Sequence, residues 1–406
     1  MNIGIDLRAL QTGHKFRGIG EVAKQVTNRI LKLANNDKSK KIHFIFYEYD
    51  DDDPKELLDL PNNLSYEIVK LGLMPENNIK TDKYMKLTKA FNELYGSPIK
   101  DSVKSDTFLQ FDYMFGVPRN TRTVLIKHDL IPLIFWDKYF ESAWIPFKNK
   151  AIRTTLRTIF ANYKYLRVLR RSLKNAHVIM SVSKSTKNDL RKYFNVPDSK
   201  IKVAHNGVDV KVLKTNEHQD VKNMPTKPYL LFIGAGDARR RVEDAVAAFN
   251  SLKADGRDIQ LVLVGENFQS PEKIPNPVLR KAVMGSSYLD DILMLGYVDD
   301  MTKQKLYKSA IAFVYPTKYE GFGIPILEAM LLECPIITYK NSSTSEVGGD
   351  CAIYAKNWEE MRLNIEKLID QSPSDRKKFI MSAKKHAETF TWDKTALLIY
   401  DELINV

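Results

Sequence analysis

The chain has 406 residues, enough for two to three domains at roughly 150 residues each. It is 44% hydrophobic and 28% charged, a globular profile that excludes a disordered, collagen-like or fibrous chain. Against 50 acidic side chains stand 62 basic ones, a formal charge of +12, so an anionic surface or substrate is expected. Two cysteines, Cys334 and Cys351, are too few for a disulfide framework and lack zinc-ligand spacing, so a reducing compartment is expected. No window nears the roughly 18 apolar residues of a spanning helix. The N-terminus reads as a buried strand with no basic leader, so no signal peptide is expected. The expected location is the cytoplasm, peripheral on the inner face of the plasma membrane if a surface is used.

Short apolar, β-rich runs alternate with helical stretches. In the first half they fall at residues 2–6, 43–47, 66–70, 122–127, 177–182 and 201–204. In the second they fall at 229–233, 260–264, 292–295, 311–315, 336–338 and 352–355. Near-continuous apolar strands between amphipathic helices predict parallel sheets covered on both faces. The polar stretch within 211–227, ending near Pro225, reads as a linker. It divides the chain into two α/β, Rossmann-like doubly wound domains, 1–210 and 228–390, with ligands at the carboxyl ends of the strands of facing domains. Residues 391–406 read as a helix, with apolar Ala396, Leu397, Ile399, Tyr400, Leu403 and Ile404, crossing back to the first domain.

The strongest motif is Tyr319-Glu-Gly-Phe-Gly-Ile-Pro-Ile-Leu-Glu-Ala-Met330, at a strand-to-helix junction. Gly321 and Gly323 let backbone approach a ligand, and Pro325 suits a first helical turn. The helix start suits a phosphate. Glu320 falls in the loop. Glu328 falls one turn into the helix, where a carboxylate accepts two hydrogen bonds from a diol such as a ribose. A glycine turn with a solvated helix face is the plainer alternative, and two carboxylates framing Gly-x-Gly weigh against it.

Two glutamates separated by seven residues around Gly-Phe-Gly-Ile-Pro resemble the signature of the retaining nucleotide-sugar glycosyltransferases of family 4, which have the two-domain GT-B fold. Leu295-Gly-Tyr-Val298, Ala312-Phe-Val-Tyr-Pro316, Cys334-Pro-Ile-Ile-Thr338 and Glu346-Val-Gly-Gly-Asp350 keep that family's order. So do Ser181-Val-Ser-Lys-Ser185 and His205-Asn-Gly-Val-Asp209. The resemblance implies that Glu320 touches the donor sugar and Glu328 the ribose, while Gly321, Phe322, Gly323 and Ile324 offer amides to sugar and diphosphate. In Phe232-Ile-Gly-Ala-Gly-Asp-Ala-Arg-Arg-Arg241, Arg240 stands at the phosphate-binding position with Arg239 before it, and Ala235 replaces an arginine found in a subset. A guanidinium clamps a diphosphate in bidentate fashion. Three cations at a helix start oppose its dipole, so an anionic partner is expected.

In the first domain, the long loop from Asp6 to Glu21 fails as a dinucleotide fingerprint, because Gly18-x-Gly20 is not continued and no tight turn precedes it. It resembles the family's mobile loop, with Gly18 and Gly20 over donor diphosphate and acceptor. His128, in Lys127-His-Asp-Leu-Ile-Pro132, is a core residue or a catalytic one, and the match to His-Asp-Leu-x-Pro favours catalysis. Asp129 supports it or caps the next helix.

Between Trp144 and Lys174 lie Lys148, Lys150, Arg153, Arg157, Lys164, Arg167, Arg170, Arg171 and Lys174, with no acidic residue. Ile152, Leu156, Ile159, Tyr163 and Leu166 recur at helical spacing, and Trp144, Phe147, Phe160 and Tyr165 supply aromatics. Such a segment packs its stripe on the sheet and solvates its charges, or docks on anionic lipid; the one-sided charge favours the membrane. No nucleic-acid-binding signature is present.

The expected activity is retaining transfer of a hexose from a nucleotide diphosphate sugar to a hydroxyl of a glycan or glycolipid acceptor in capsule or O-antigen synthesis, with mannosyl or rhamnosyl transfer favoured. No cofactor and no metal are expected. A GT-B epimerase and a non-catalytic partner protein are the alternatives.

Overall fold

The computed structural model describes residues 1–16, 18–50, 53–72, 99, 103–136, 152–209 and 224–405. Trp144, Lys148 and Lys150 lie outside them, as does most of the expected linker. The chain divides into two compact units, Met1–Gly207 with Trp392–Val406, and Val208–Thr391.

The first unit holds seven parallel strands: β1 (Asn2–Asp6), β2 (His43–Glu48), β3 (Tyr66–Lys70), β4 (Thr107–Gln110), β5 (Arg122–Lys127), β6 (Val178–Ser181) and β7 (Ile201–Val203). Their order is β3-β2-β1-β4-β5-β6-β7. Helices α1 (Gly18–Asn36), α2 (Ile131–Ile134), α3 (Ile152–Asn175) and α4 (Lys184–Phe194) connect them. β4 is absent from the strands predicted above, although it lies at the sheet's centre. It is four residues long and ends on Gln110, so no periodicity reveals it; all four are buried only because β1 and β5 flank them.

The second unit has six parallel strands: β8 (Tyr229–Ile233), β9 (Gln260–Val264), β10 (Ile292–Gly296), β11 (Ala312–Tyr315), β12 (Ile336–Tyr339) and β13 (Ile353–Ala355), in the order β10-β9-β8-β11-β12-β13. Its helices are α5 (Val242–Ala254), α6 (Pro277–Met284), α7 (Asp300–Ser309), α8 (Ile324–Leu331), α9 (Thr344–Gly348), α10 (Trp358–Ile369) and α11 (Pro373–Ala387). The central strands are Leu, Val, Ile and Phe runs buried on both faces, as parallel sheets under helices require.

The last helix, α12 (Trp392–Ile404), belongs to the first unit and packs against α1. Arg29 Nε donates to Asp393 Oδ1 at 2.8 Å, and Thr395 Oγ1 to the His205 carbonyl at 2.5 Å. Its buried face is Trp392, Thr395, Ala396, Ile399, Tyr400 and Leu403. Leu397, expected on that face, is exposed, since it falls outside the arc that meets α1.

Candidate active site

In the second sheet the chain winds outward from β8 to β10 and returns through β11, so the topology switches between β8 and β11. Ligands of doubly wound folds bind at the carboxyl ends of such a strand pair. Two loops leave there, residues 234–241 and 316–323. The Lys318 amide donates to the Arg239 carbonyl at 2.8 Å and ties them together.

Where the loops meet lies a buried charge centre. Glu320 Oε1 accepts from Arg239 Nη1 at 2.5 Å, from the Tyr315 hydroxyl at 2.7 Å and from Thr317 Oγ1 at 3.2 Å. Arg240 Nε lies 3.6 Å from the same oxygen, with its guanidinium over the Tyr315 ring. Burial opposes ionisation of Glu320, but Arg239 and Arg240, with Tyr315, outweigh it and hold the carboxyl below the ordinary 4.5. Asp237 adds a second carboxylate, 3.3 Å from Arg239 Nε and 3.7 Å from Arg240 Nε. Asp237 Oδ1 and Arg240 Nε are buried yet make no hydrogen bond. A cluster left incomplete in this way has polar capacity for a ligand.

Arg240 reaches its place because of Gly234, which sequence reading passed over. At φ +149°, a Cβ there would lie 1.9 Å from Arg240 Nη1. The three arginines are not a solvated helix start; each meets carboxylates of its own chain. Arg241 turns away, bonding Asp244 Oδ1 at 2.6 Å and pairing with Glu243 at 3.1 Å.

Helices α4, α6, α7, α10 and α11 begin on capping side chains: Ser183, Asn276, Asp299, Asn357 and Ser372. The two helices that start at the site do not. α5 follows Arg241 and α8 follows Gly323, both left-handed and without a side-chain cap. Phe322 is buried, with its ring edge-on to Phe390. One turn into α8, Glu328 Oε1 accepts from Lys303 Nζ at 3.1 Å.

Sequence reading also missed the support of the Glu320 loop. After β12, Ser342 Oγ accepts from the Glu320 amide at 3.0 Å, and Ser343 Oγ lies 2.8 and 2.7 Å from the carbonyls of Glu320 and Phe322. Asn341 Nδ2 donates to the Thr317 carbonyl at 2.8 Å. No spacing rule marks these residues; they matter because β12 neighbours β11.

In the first unit, the expected loop before α1 is largely helical. Turns at Arg8–Leu10 and Gly13–Phe16 precede α1, and Gly18 and Gly20 occupy its first turn. Arg8 and Asp6 form a fully buried ion pair at 2.5 Å, and Arg8 also donates to the Phe115 carbonyl at 3.0 Å. Gln110 Nε2 donates to Asp6 Oδ2 at 2.8 Å. His128 is half-buried and its Nε2 donates to the Phe111 carbonyl at 2.9 Å. Asp129 Oδ1 accepts from the Ile131 amide at 2.8 Å in the turn before α2, whose N-cap is Leu130 and has no side-chain capping bond.

On α3 the buried face is Tyr165, Leu169, Ser172 and Leu173, whereas Ile159 and Tyr163 of the expected stripe are 50% and 59% exposed. Tyr165, expected as an interfacial aromatic, packs edge-on against Trp136. Lys164 is half-buried; Arg167, Arg170 and Arg171 are exposed. Arg153 and Arg157 lie on α3, their side chains outside the described set. No helix among the described residues is long and apolar enough to cross a membrane.

The sequence model of Glycosyl transferases group 1 matches residues 214–386, and that of Glycosyltransferase Family 4 matches residues 111–212. The O-antigen chain mannosyltransferase B of Escherichia coli is 29% identical over 198 residues, 46% of this chain and 49% of that protein. An O-antigen chain mannosyltransferase of Salmonella typhimurium is 24% identical over 259 residues, 63% and 64% of the two chains. The matches thus span about half to just under two thirds of the curated relatives' own length. Among solved structures, the Anabaena protein HepE in complex with UDP and glucose is similar over the full length of both chains, with a TM-score of 0.63 and 14% identity. At that identity the likeness concerns the fold, two parallel-sheet α/β domains of the GT-B type. The two sequence models match in tandem along this fold, so the chain carries a Glycosyltransferase Family 4 domain followed by a Glycosyl transferases group 1 domain.

Proposed function

We propose that the protein transfers a hexose, with retention, from a nucleotide diphosphate sugar to a hydroxyl of a lipid-linked glycan in O-antigen-type polysaccharide synthesis. The observation that carries this reading is the buried Glu320 carboxylate between Arg239 and Arg240 at the β8–β11 switch point. The similar mannosyltransferases support the pathway and favour a mannosyl donor.

In this reading Glu320 holds hydroxyls of the donor sugar, Glu328 the ribose, and Arg240 with the start of α8 the diphosphate. The bond from C1 to the phosphate oxygen breaks as the acceptor oxygen bonds C1 on the same face. The acceptor's proton passes to the departing phosphate, so no protein nucleophile is required. Arg239, Arg240 and backbone amides stabilise the leaving charge, which needs neither metal nor cofactor. His128, bonded to the Phe111 carbonyl, is the first unit's candidate for the acceptor chemistry, with Gly18 and Gly20 assigned to the donor. The exposed Ile159, Tyr163, Arg167, Arg170 and Arg171 support seating on anionic lipid at the cytoplasmic face of the plasma membrane.

The test is a thermal-shift screen of GDP-, UDP-, dTDP- and ADP-linked sugars with wild type and Glu328→Ala, followed by turnover with lipid-linked acceptors. One donor class that stabilises wild type alone, and a product keeping the donor's anomeric configuration by NMR, are expected. Inverted product sinks the retaining mechanism. Conversion of donor without acceptor identifies an epimerase, and no donor binding at all identifies a non-catalytic protein.

A further inference from the structure

Among the described residues the Glu328 carboxylate accepts a hydrogen bond from a cation on a different helix. Lys303 on α7 donates to Oε1 at 3.1 Å, and Lys303 is itself steadied by Asp300 at 3.6 Å. Both ends of the pair are largely enclosed, with Lys303 27% and Glu328 21% exposed. One turn along α7, on the same face by i,i+4 spacing, Tyr307 is fully buried with its hydroxyl beside the Glu328 carboxylate. The carboxylate therefore has one oxygen, Oε1, committed to the Lys303 cation. Burial opposes the charge of Lys303, but Glu328 and then Asp300 outweigh it and raise its pKa above 10.5.

We propose that Lys303 is a positioning residue for nucleotide recognition: by anchoring Oε1 of Glu328 from α7, it turns Oε2 toward the ribose hydroxyls of the donor. This rests on the ribose reading of Glu328 and adds the element that orients it. A glutamate without the anchor has three side-chain torsions to order on binding, whereas the anchored one is already set.

The test is isothermal titration of wild type, Lys303→Met, Lys303→Arg and Glu328→Gln with UDP and GDP, each beside its 2′-deoxy form. Wild type should prefer the ribose form about tenfold or more, as expected for a hydrogen bond to a charged group. Lys303→Met should reduce that ratio to about threefold or less while leaving 2′-deoxy affinity and melting temperature near wild type; Lys303→Arg should restore the ratio. A general packing role would weaken both forms alike, which overturns the proposal. If Lys303→Met keeps the full ratio while Glu328→Gln loses it, the positioning role falls and the ribose reading stands. If Glu328→Gln keeps the ratio too, or no nucleotide binds wild type, both fall.

Discussion

The two sheets share one winding, and in each an arginine–carboxylate pair lies at the carboxyl ends of the central strands. In the first unit the pair is closed. Asp6 and Arg8 are both fully buried, Gln110 fills a further position on Asp6, and the Phe115 carbonyl and ring take up the guanidinium. In the second unit Arg239, Arg240 and Glu320 are 10%, 15% and 9% exposed, Asp237 is 33% exposed, and buried polar atoms remain without hydrogen bonds. Burial alone does not separate the two. What separates them is completion: a satisfied buried network rigidifies its surroundings, and an incomplete one is poised for a ligand.

That contrast breaks first if the closed pair is dispensable. Arg8→Met leaves a buried, uncompensated Asp6, and denaturant unfolding should show a loss of about 3–5 kcal/mol in the first unit. A loss of surface size would mean that the pair is not structural. Arg240→Met should instead leave folding nearly intact, because Arg239 still pairs with Glu320, and lower kcat/KM by about 10²–10³. Equal effects on turnover from Arg8→Met, in protein that remains folded, would erase the distinction.

Gly234→Ala sharpens the same point from the backbone. Its Cβ would fall 1.9 Å from Arg240 Nη1 and its φ is +149°, so about 1–3 kcal/mol of stability should be lost. Donor affinity should fall with it, since Arg240 must move. A smaller effect comes from pH. The Glu320 carboxyl is held below its ordinary 4.5, so the folded state binds fewer protons there than the unfolded state. Its contribution is present above about pH 4.5 and is lost as pH falls through the lower folded value. Glu320→Gln should therefore flatten the acid limb of a melting-temperature profile, whereas Arg8, where burial opposes the charge but Asp6 outweighs it and raises the pKa, stays charged at every working pH. An unchanged acid limb would mean that Glu320 is not ionised in the fold.

Much of this was written locally. Strands such as Tyr229–Ile233 and Gln260–Val264 are apolar runs too short for helices, and they form where the pattern puts them. The junction at Gly323 is equally local, because a glycine at φ +104° and Pro325 in the first turn are chain neighbours that favour a helix start. β4 escaped because four residues carry no period, and Ser342, Ser343 and Lys303 escaped because their importance comes from a strand or helix beside them in space. The face of α3 was misplaced for a related reason. Tyr165 and Leu169 are buried while Ile159 and Tyr163 are exposed, and an apolar stripe does not say which arc meets the sheet.

The sequence by itself therefore determined two parallel-sheet halves, the glycine–glutamate junction and the basic segment, all of which depend on chain neighbours through hydrophobic period, turn chemistry and charge. Tertiary structure decided which arginine faces Glu320 and which turns to Asp244, which cation holds Glu328, and which buried ion pair is closed. Those choices depend on strand order, which brings residues about 80 positions apart, such as Arg239 and Glu320, within hydrogen-bond reach.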